Sequence, residues 1–382
     1  MKKLGFSLAV FLFAVIVFAS VANAAQSITE SPDVKIVIDG EKGTYTDVTI
    51  IADGRTLLPL REVLTKLGVQ NDDEHIIWDG VKRSVTVKKD DKVIYLEVGN
   101  NIGSVNGKEI TIDVPPIIYP KNNRTYIPAR FVAESLGMEV VWDPATRTVL
   151  IADKDNYEQA KTIITKSSLV MNDIKSHNFL LETYTKTTQN EFEMKYSFDL
   201  DAKLNYVDKA AHMVAATYVN GIKMENELYI KDGYSYDKNV EQGTWSKEPL
   251  AGSKYNEIFE TGKELISWIE QDIVKMSSGM LIDKNENSED YVLKGEVLAS
   301  DYLNVFYKRL TGNENITDKV NMEDFYMKIT VEKNTFYLKD VTLTCSGNIK
   351  EELGGGQFQF RIDFDNSDFN SNFVITLPKE VQ

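Results

Sequence analysis

The chain is poor in the residues that disulfide and metal chemistry require. Its 382 residues include one cysteine, Cys345, and three histidines, His75, His177 and His212. A single thiol cannot close an intramolecular disulfide, and its place in the strand-like run VTLTCSG marks a small buried apolar residue rather than a reactive group. There is no His-x-His pair. G-x-S-x-G, G-x-x-x-x-G-K-[ST] and H-E-x-x-H are also missing, so the common nucleophile, phosphate and zinc constellations have no support. Cationic clusters are missing as well. With 43 Lys and Arg against 58 Asp and Glu the formal charge is -15, which repels nucleic acid and anionic lipid surfaces. After residue 24 no apolar run approaches the roughly 18 residues that a membrane span needs.

The N-terminus is the exception. In MKKLGFSLAVFLFAVIVFASVANA, Lys2 and Lys3 precede an apolar run ending near Ala19, and Ala22-Asn23-Ala24 follows. This reads as a secretory signal peptide over 1–24, with a retained anchor as the alternative because the run is long for a signal. Loss of the two lysines takes the charge from -15 to -17. No cysteine stands directly after the cleavage site, which disfavours a lipid-anchored lipoprotein. An exported chain without a disulfide framework suits a bacterial envelope protein, secreted and without a permanent membrane span after cleavage.

Two blocks recur at an offset of 69 residues: GRTLLPLREVLTKLG from Gly54 and NRTYIPARFVAESLG from Asn123. A repeated block is usually a repeated structural unit. Each reads as strand, helix, then two strands. Pro59 and Pro128 stand where a helix can begin, since proline's missing N–H costs nothing in the first turn. Leu60, Val63, Leu64 and Leu67, and in the second copy Ala129, Val132, Ala133 and Leu136, trace one buried helical face. Gly68 and Gly137 close the helices. A Trp hairpin follows each, with Trp78-Asp79-Gly80 and Trp142-Asp143-Pro144, and the inserted QNDDEH lengthens the first link by five residues. Between the copies Asn106-Gly107 signals a tight hairpin. The recurring Arg61 and Arg130 are expected to hold Asp79 and Asp143, or nearby carbonyls.

The paired blocks, PLREVLTKLG and IPARFVAESLG each before a Trp-Asp hairpin, resemble the copper amine oxidase N-terminal-like, or stalk, domain of exported proteins of Gram-positive bacteria. The resemblance spans 31–153, with repeats at about 54–89 and 123–153. It implies a small α+β spacer or attachment module, peripheral to chemistry in the enzymes that carry it. Copper amine oxidase catalysis needs three copper histidines and a tyrosine in an Asn-Tyr-Asp/Glu context. Asn156-Tyr157-Glu158 imitates the latter, but Asp153 stands where threonine belongs. The tyrosine also heads a helical stripe through Ala160, Ile163, Ile164, Val170 and Met171, and is read as core. Neither enzyme activity, cofactor nor metal is expected.

From 157 to 382 the texture changes to period-two alternation, the signature of strands with one apolar and one wet face. Phe192, Met194, Tyr196, Phe198 and Leu200 alternate with charged and polar residues. So do Ile222, Met224, Leu228 and Ile230, then Phe325, Met327, Ile329 and Val331, and finally Phe358, Phe360, Ile362 and Phe364. Helices are expected at about 263–276 and 300–310. Asp283, Asn285 and Asn287 imitate a calcium loop, but Ser288 and Lys294 occupy its glycine and glutamate positions, so a solvated turn is expected. Gly354 to Gly356 read as another turn.

The order of elements and the stretch GIKMENELYIKDGYSYD are similar to the LolA-like or LppX-like lipoprotein-carrier fold, a half-open barrel capped by helices. The predicted class is therefore α+β: a small repeat-built module followed by a curved antiparallel sheet with covering helices. The resemblance implies a lipid or acylated ligand on the concave face, whose candidate residues are Phe192, Met194, Tyr196, Phe198, Met224, Leu228, Phe325, Met327, Phe358 and Phe360. The alternative is a structural or attachment protein with a filled core and a cell-wall or envelope protein partner.

Overall fold

The computed structural model describes residues 28–144, 147–240, 242–267, 280–283, 288–296 and 319–381. The expected signal segment, the helix expected at 300–310, residues 284–287 of the calcium-like loop and residues 268–276 of the other expected helix lie outside them. The described chain forms two compact units: residues up to 32 with 47–65 and 69–129, and residues 33–46 with 66–68 and 130 onward.

The first unit holds two five-stranded sheets. One is built from β1 (Ile28–Glu30), β4 (Ile50–Ala52), β5 (Arg55–Pro59), β12 (Arg124–Pro128) and β11 (Ile117–Tyr119), in that order. The two copies of the repeat meet here through their first strands, with Leu58 opposite Ile127 in an antiparallel pair. Ile50, Leu57 and Tyr126, all fully buried, form its core with Tyr119. The other sheet runs β10 (Lys108–Thr111), β9 (Ile102–Val105), β8 (Lys92–Glu97), β7 (Ser84–Lys89), β6 (Ile76–Asp79). Asn106 and Gly107, at φ 51° and 78°, make the tight turn between β9 and β10. Helix α1 (Leu60–Lys66) buries Leu60, Val63 and Leu64 as the periodicity requires, and Gly68 follows at φ 80°.

In the second unit, α2 (Ala129–Ser135) leads to the hairpin β13 (Met138–Asp143) and β14 (Thr148–Asp153), so both copies have the strand, helix, two-strand order. Strand β2 (Lys35–Ile38) lies parallel to β14, and β3 (Glu41–Lys42) completes a four-stranded sheet. Helix α3 (Lys154–Asn172) starts three residues before the expected Tyr157, because the Asp153 carboxylate accepts from the Asn156 backbone N–H at 2.9 Å.

An eleven-stranded antiparallel sheet dominates the rest. It has two sequential meanders. The first is β15 (Ser176–Gln189), β16 (Phe192–Asn205), β17 (Ala210–Val219), β18 (Ile222–Lys231), β19 (Tyr234–Asn239) and β20 (Thr244–Pro249). The second is β21 (Leu281–Ile282), β22 (Asp290–Glu296), β23 (Val320–Glu332), β24 (Leu338–Ile349) and β25 (Gln357–Ser367). They join where β15 pairs with β25. Helix α4 (Gly252–Ser267) begins eleven residues before the expected start at 263. Its Phe259 and the α3 stripe Ala160, Ile163, Ile164 and Met171 pack on one sheet face with Leu204, Ile230, Met327, Ile362 and Phe364. This is the α+β, helix-capped, curved half-barrel that the sequence predicts. Gly354, Gly355 and Gly356 turn the chain from β24 to β25 at φ 95°, 66° and 114°. Cys345 is buried on β24, where burial pushes its thiol up to about 12.

Candidate functional site

Register defines the candidate face strand by strand. Tyr196 stands opposite Val219, and Val219 opposite Ile222; in the next row Phe198, Thr217 and Met224 align. On the other side, Met194 and Phe358 flank Thr187, and Tyr196 and Phe360 flank Thr185. Because side chains alternate, all these residues share one face with Leu200, Ala202 and Leu204, on which α3 and α4 pack.

Burial divides that face. Phe325, Met327 and Phe358 are 4%, 1% and 8% exposed and belong to the core, with Leu228 and Phe360 half-buried against it. At the β16–β18 corner the same face is open: Phe192 is 65% exposed, Ile222 70%, Met224 55%, Met194 43% and Tyr196 38%. Phe198 is half-buried between the two regions. The ten candidates therefore form a dry wall and an open corner, not one continuous lining. Ile222 and Val219 complete the corner and were not among them; Ile222 was already visible in the alternation of β18.

The opposite side of the corner is charged. Glu193 accepts from Lys186 at 2.6 Å and from Lys195 at 2.9 Å, and these hydrogen bonds hold its carboxyl down to about 2. Lys223 pairs with Glu225 in the same way. One side of this ribbon is thus built for water and the other is not.

The repeat arginines correct an expectation. Arg61 donates to Asn71 at 3.1 Å and Asp73 at 3.0 Å, both in the loop inserted after α1. Asp79 is engaged by its own turn, accepting from the backbone N–H groups of Val81 at 2.9 Å and Lys82 at 3.0 Å. An Asx turn satisfies this carboxylate locally, so it needs no arginine. Arg130 pairs with Glu134 one helical turn on, at 3.4 Å. The arginine at the second position of each block makes the long-range pairs: Arg55 with Asp113 at 2.8 Å, and Arg124 with Asp47 at 2.5 Å. Its recurrence was the available signal. Around Asp47, Arg124, Arg61 and the 41%-exposed Trp78 lies a cleft of about 310 Å³. Pro59, Leu60, Ile76 and Val85 supply its apolar surface. Pro128, Gly137 and Trp142 hold the equivalent positions of the second copy, on β12, after α2 and on β13.

The histidines do not converge. His75 contacts Asp72 at 2.7 Å in the first unit. His212 lies 3.0 Å from Glu227, which also accepts from Lys238 at 2.7 Å. Burial pushes Glu227 upward, but hydrogen bonds from Lys238 and His212 outweigh it and leave the carboxyl below its ordinary range. Leu204 and Lys203, neighbours on β16, face His177 and His212 respectively, so the two imidazoles project from opposite sides of the sheet. His177 is fully buried, and neither ring nitrogen has a hydrogen-bond partner among the described residues. Burial lowers it to about 4. Among the described residues no group of three His, Cys, Asp or Glu could hold a metal ion. No helix of the described residues is long and apolar enough to cross a membrane.

Fold and site define an α+β protein in which a repeat-built module precedes a helix-capped antiparallel half-barrel with an open apolar corner among the described residues. Residues 159–382 match the family of unknown function DUF6612, and the chain belongs to that family. Residues 37–151 match the copper amine oxidase N-terminal domain. No curated protein matches. Among solved structures, LprF from Mycobacterium bovis is similar at 13% identity and a TM-score of 0.35, over 58% of this chain and 97% of that one. A LolA superfamily protein from Nitrosomonas europaea is similar at 11% identity and a TM-score of 0.17, over 58% of this chain and 96% of its own. Likenesses this distant say nothing about what the chain binds.

Proposed function

We propose that this is an exported, non-enzymatic envelope protein whose sheet domain binds a lipid or acylated ligand, with the repeat module serving as its stalk. The observation that supports this is the open corner. Phe192, Met194, Tyr196, Ile222 and Met224 continue the core face of the sheet into solvent, while the reverse side carries salt bridges. Covering a large apolar side chain that is otherwise exposed is worth about 1.5–3 kcal/mol, so an acyl chain laid across several of them has a sufficient driving force. Methionines at two of the five positions suit a lining that adapts to a flexible chain.

The alternative reading, a structural or attachment protein, draws on the other half of the same face. Phe325, Met327, Ile329 and Ile362 are at most 4% exposed, so the β23–β25 side of the sheet is a filled core. A fluorescent fatty acid titrated into the full chain separates the two. Saturable binding that Met224→Glu and Ile222→Glu weaken at least about tenfold fits the carrier reading. Unchanged probe fluorescence at all concentrations favours the filled structural protein.

A further inference from the structure

The cleft in the first unit has a composition that the lipid reading does not use. It forms where β5 and β12 of one sheet approach β6 and β7 of the other. Its walls are the Trp78 indole, with Val85 directly opposite it in register, and the Leu60 side chain at the head of α1. Its polar groups are Thr125 and four charges that balance in sign, the Arg61 and Arg124 guanidiniums and the Asp47 and Glu62 carboxylates. Arg61 is fixed by Asp73 and Asn71, and Arg124 by the Asp47 carboxylate, which is 13% exposed. An anion would meet the Asp47 and Glu62 carboxylates on a chain of charge -15, and a cation would face two guanidiniums. An entirely apolar guest would strip water from the guanidinium N–H groups that Asn71, Asp73 and Asp47 do not engage.

The complementary guest is neutral, bears many hydroxyls and has an apolar C–H face. We infer that the cleft beside Trp78 binds a pyranose unit of a neutral polysaccharide. The partly positive C–H edge of the sugar would lie on the negative face of the indole, while Arg61, Arg124 and Asp47 meet its hydroxyls. The volume of about 310 Å³ lies at the small end for ligand sites and suits one or two sugar rings at a time. Affinity for a polymer would then come from repeated weak engagement.

Isothermal titration of the full chain with cellohexaose and with chitohexaose tests this, the pair showing whether the N-acetyl group matters, with polygalacturonate as the anionic comparison. A dissociation constant of about 1 mM or tighter is expected for at least one neutral oligomer. Trp78→Ala should weaken it at least about tenfold and Trp78→Phe much less, with the melting temperature as the check on folding. Trp142→Ala, outside the cleft, should leave it unchanged. No heat with either neutral oligomer, equal affinity in the Trp78→Ala variant, or binding of polygalacturonate alone would overturn the inference.

Discussion

Replacing His177 with phenylalanine should abolish part of the acid sensitivity of the fold. The imidazole has no exposed surface, and its two nitrogens find no hydrogen-bond partner among the described residues. It stacks against Phe179, Tyr206 and Phe369, with ring centroids at 5.6, 5.7 and 6.5 Å. Such a pocket accommodates the neutral ring and penalises the charged one, so its value falls from 6.5 in the unfolded chain to about 4 in the folded protein. The unfolded state therefore takes up a proton first as the pH drops. The full stability is present above about pH 6.5, is lost progressively between 6.5 and 4, and levels off below 4. The interval corresponds to about 3 kcal/mol in total. Phenylalanine removes this dependence. At pH 7 it also removes an imidazole N–H buried without a partner, a gain of about 1–3 kcal/mol that the slightly larger ring can offset by a similar amount. The pH slope of the difference between the two proteins is thus the decisive quantity. Urea unfolding of wild type and His177→Phe at several values between pH 7.5 and 4 measures it, and the carboxylates common to both cancel. If the two stabilities fall in parallel with pH, the reasoning about this pocket is wrong.

Other substitutions probe the halves of the apolar face and the backbone that supports it. Met327→Ala, in the dry wall, should cost about 2–5 kcal/mol in urea unfolding, whereas Met224→Glu, at the open corner, should change stability by less than about 0.5 kcal/mol. Equal costs would mean that the corner is core. Lys35 donates to the carbonyl of Met322 and, at 2.8 Å, to that of Glu323, with burial pushing its amine below the ordinary lysine range. Lys35→Ala should cost about 1–3 kcal/mol, as read from the melting temperature, by leaving the Met322 carbonyl short of a donor, while Glu323 keeps Lys42 at 3.2 Å. Gly356 sits at φ 114°, where an added Cβ would run into the Thr188 carbonyl, so Gly356→Ala should destabilise by about 2 kcal/mol or more in the same assay.

Much of this architecture is legible in the sequence because its signals are local. Pro59 and Gly68 bracket α1, and Pro128 and Gly137 bracket α2. Asn106-Gly107 has the φ values its turn type demands, and the Phe192 to Leu200 alternation is β16. The features that escaped are those decided between distant segments. Nothing local states that Lys35–Ile38 lies parallel to Thr148–Ile151, or that β15 closes against β25. The salt-bridge partners of Arg124 and Arg55, 77 and 58 residues away, are invisible for the same reason. The period of a strand also reveals which residues share a face but not which part of that face a helix covers. Met224 and Met327 therefore read alike in sequence, yet one is 55% exposed and the other 1%. The depressed value of His177 comes from burial among Phe179, Tyr206 and Phe369, of which the latter two lie in the segments after β16 and β25.

Native mass spectrometry of the chain from Ala25 to Gln382, purified gently from a secreting bacterial host, tests the central claim most directly. The account predicts a population heavier than the calculated mass by a lipid or acyl-chain increment. That increment should vanish on unfolding and be absent from the double variant Ile222→Glu, Met224→Glu. A bare mass that stays bare after incubation with mixed phospholipid and fatty acid would contradict it.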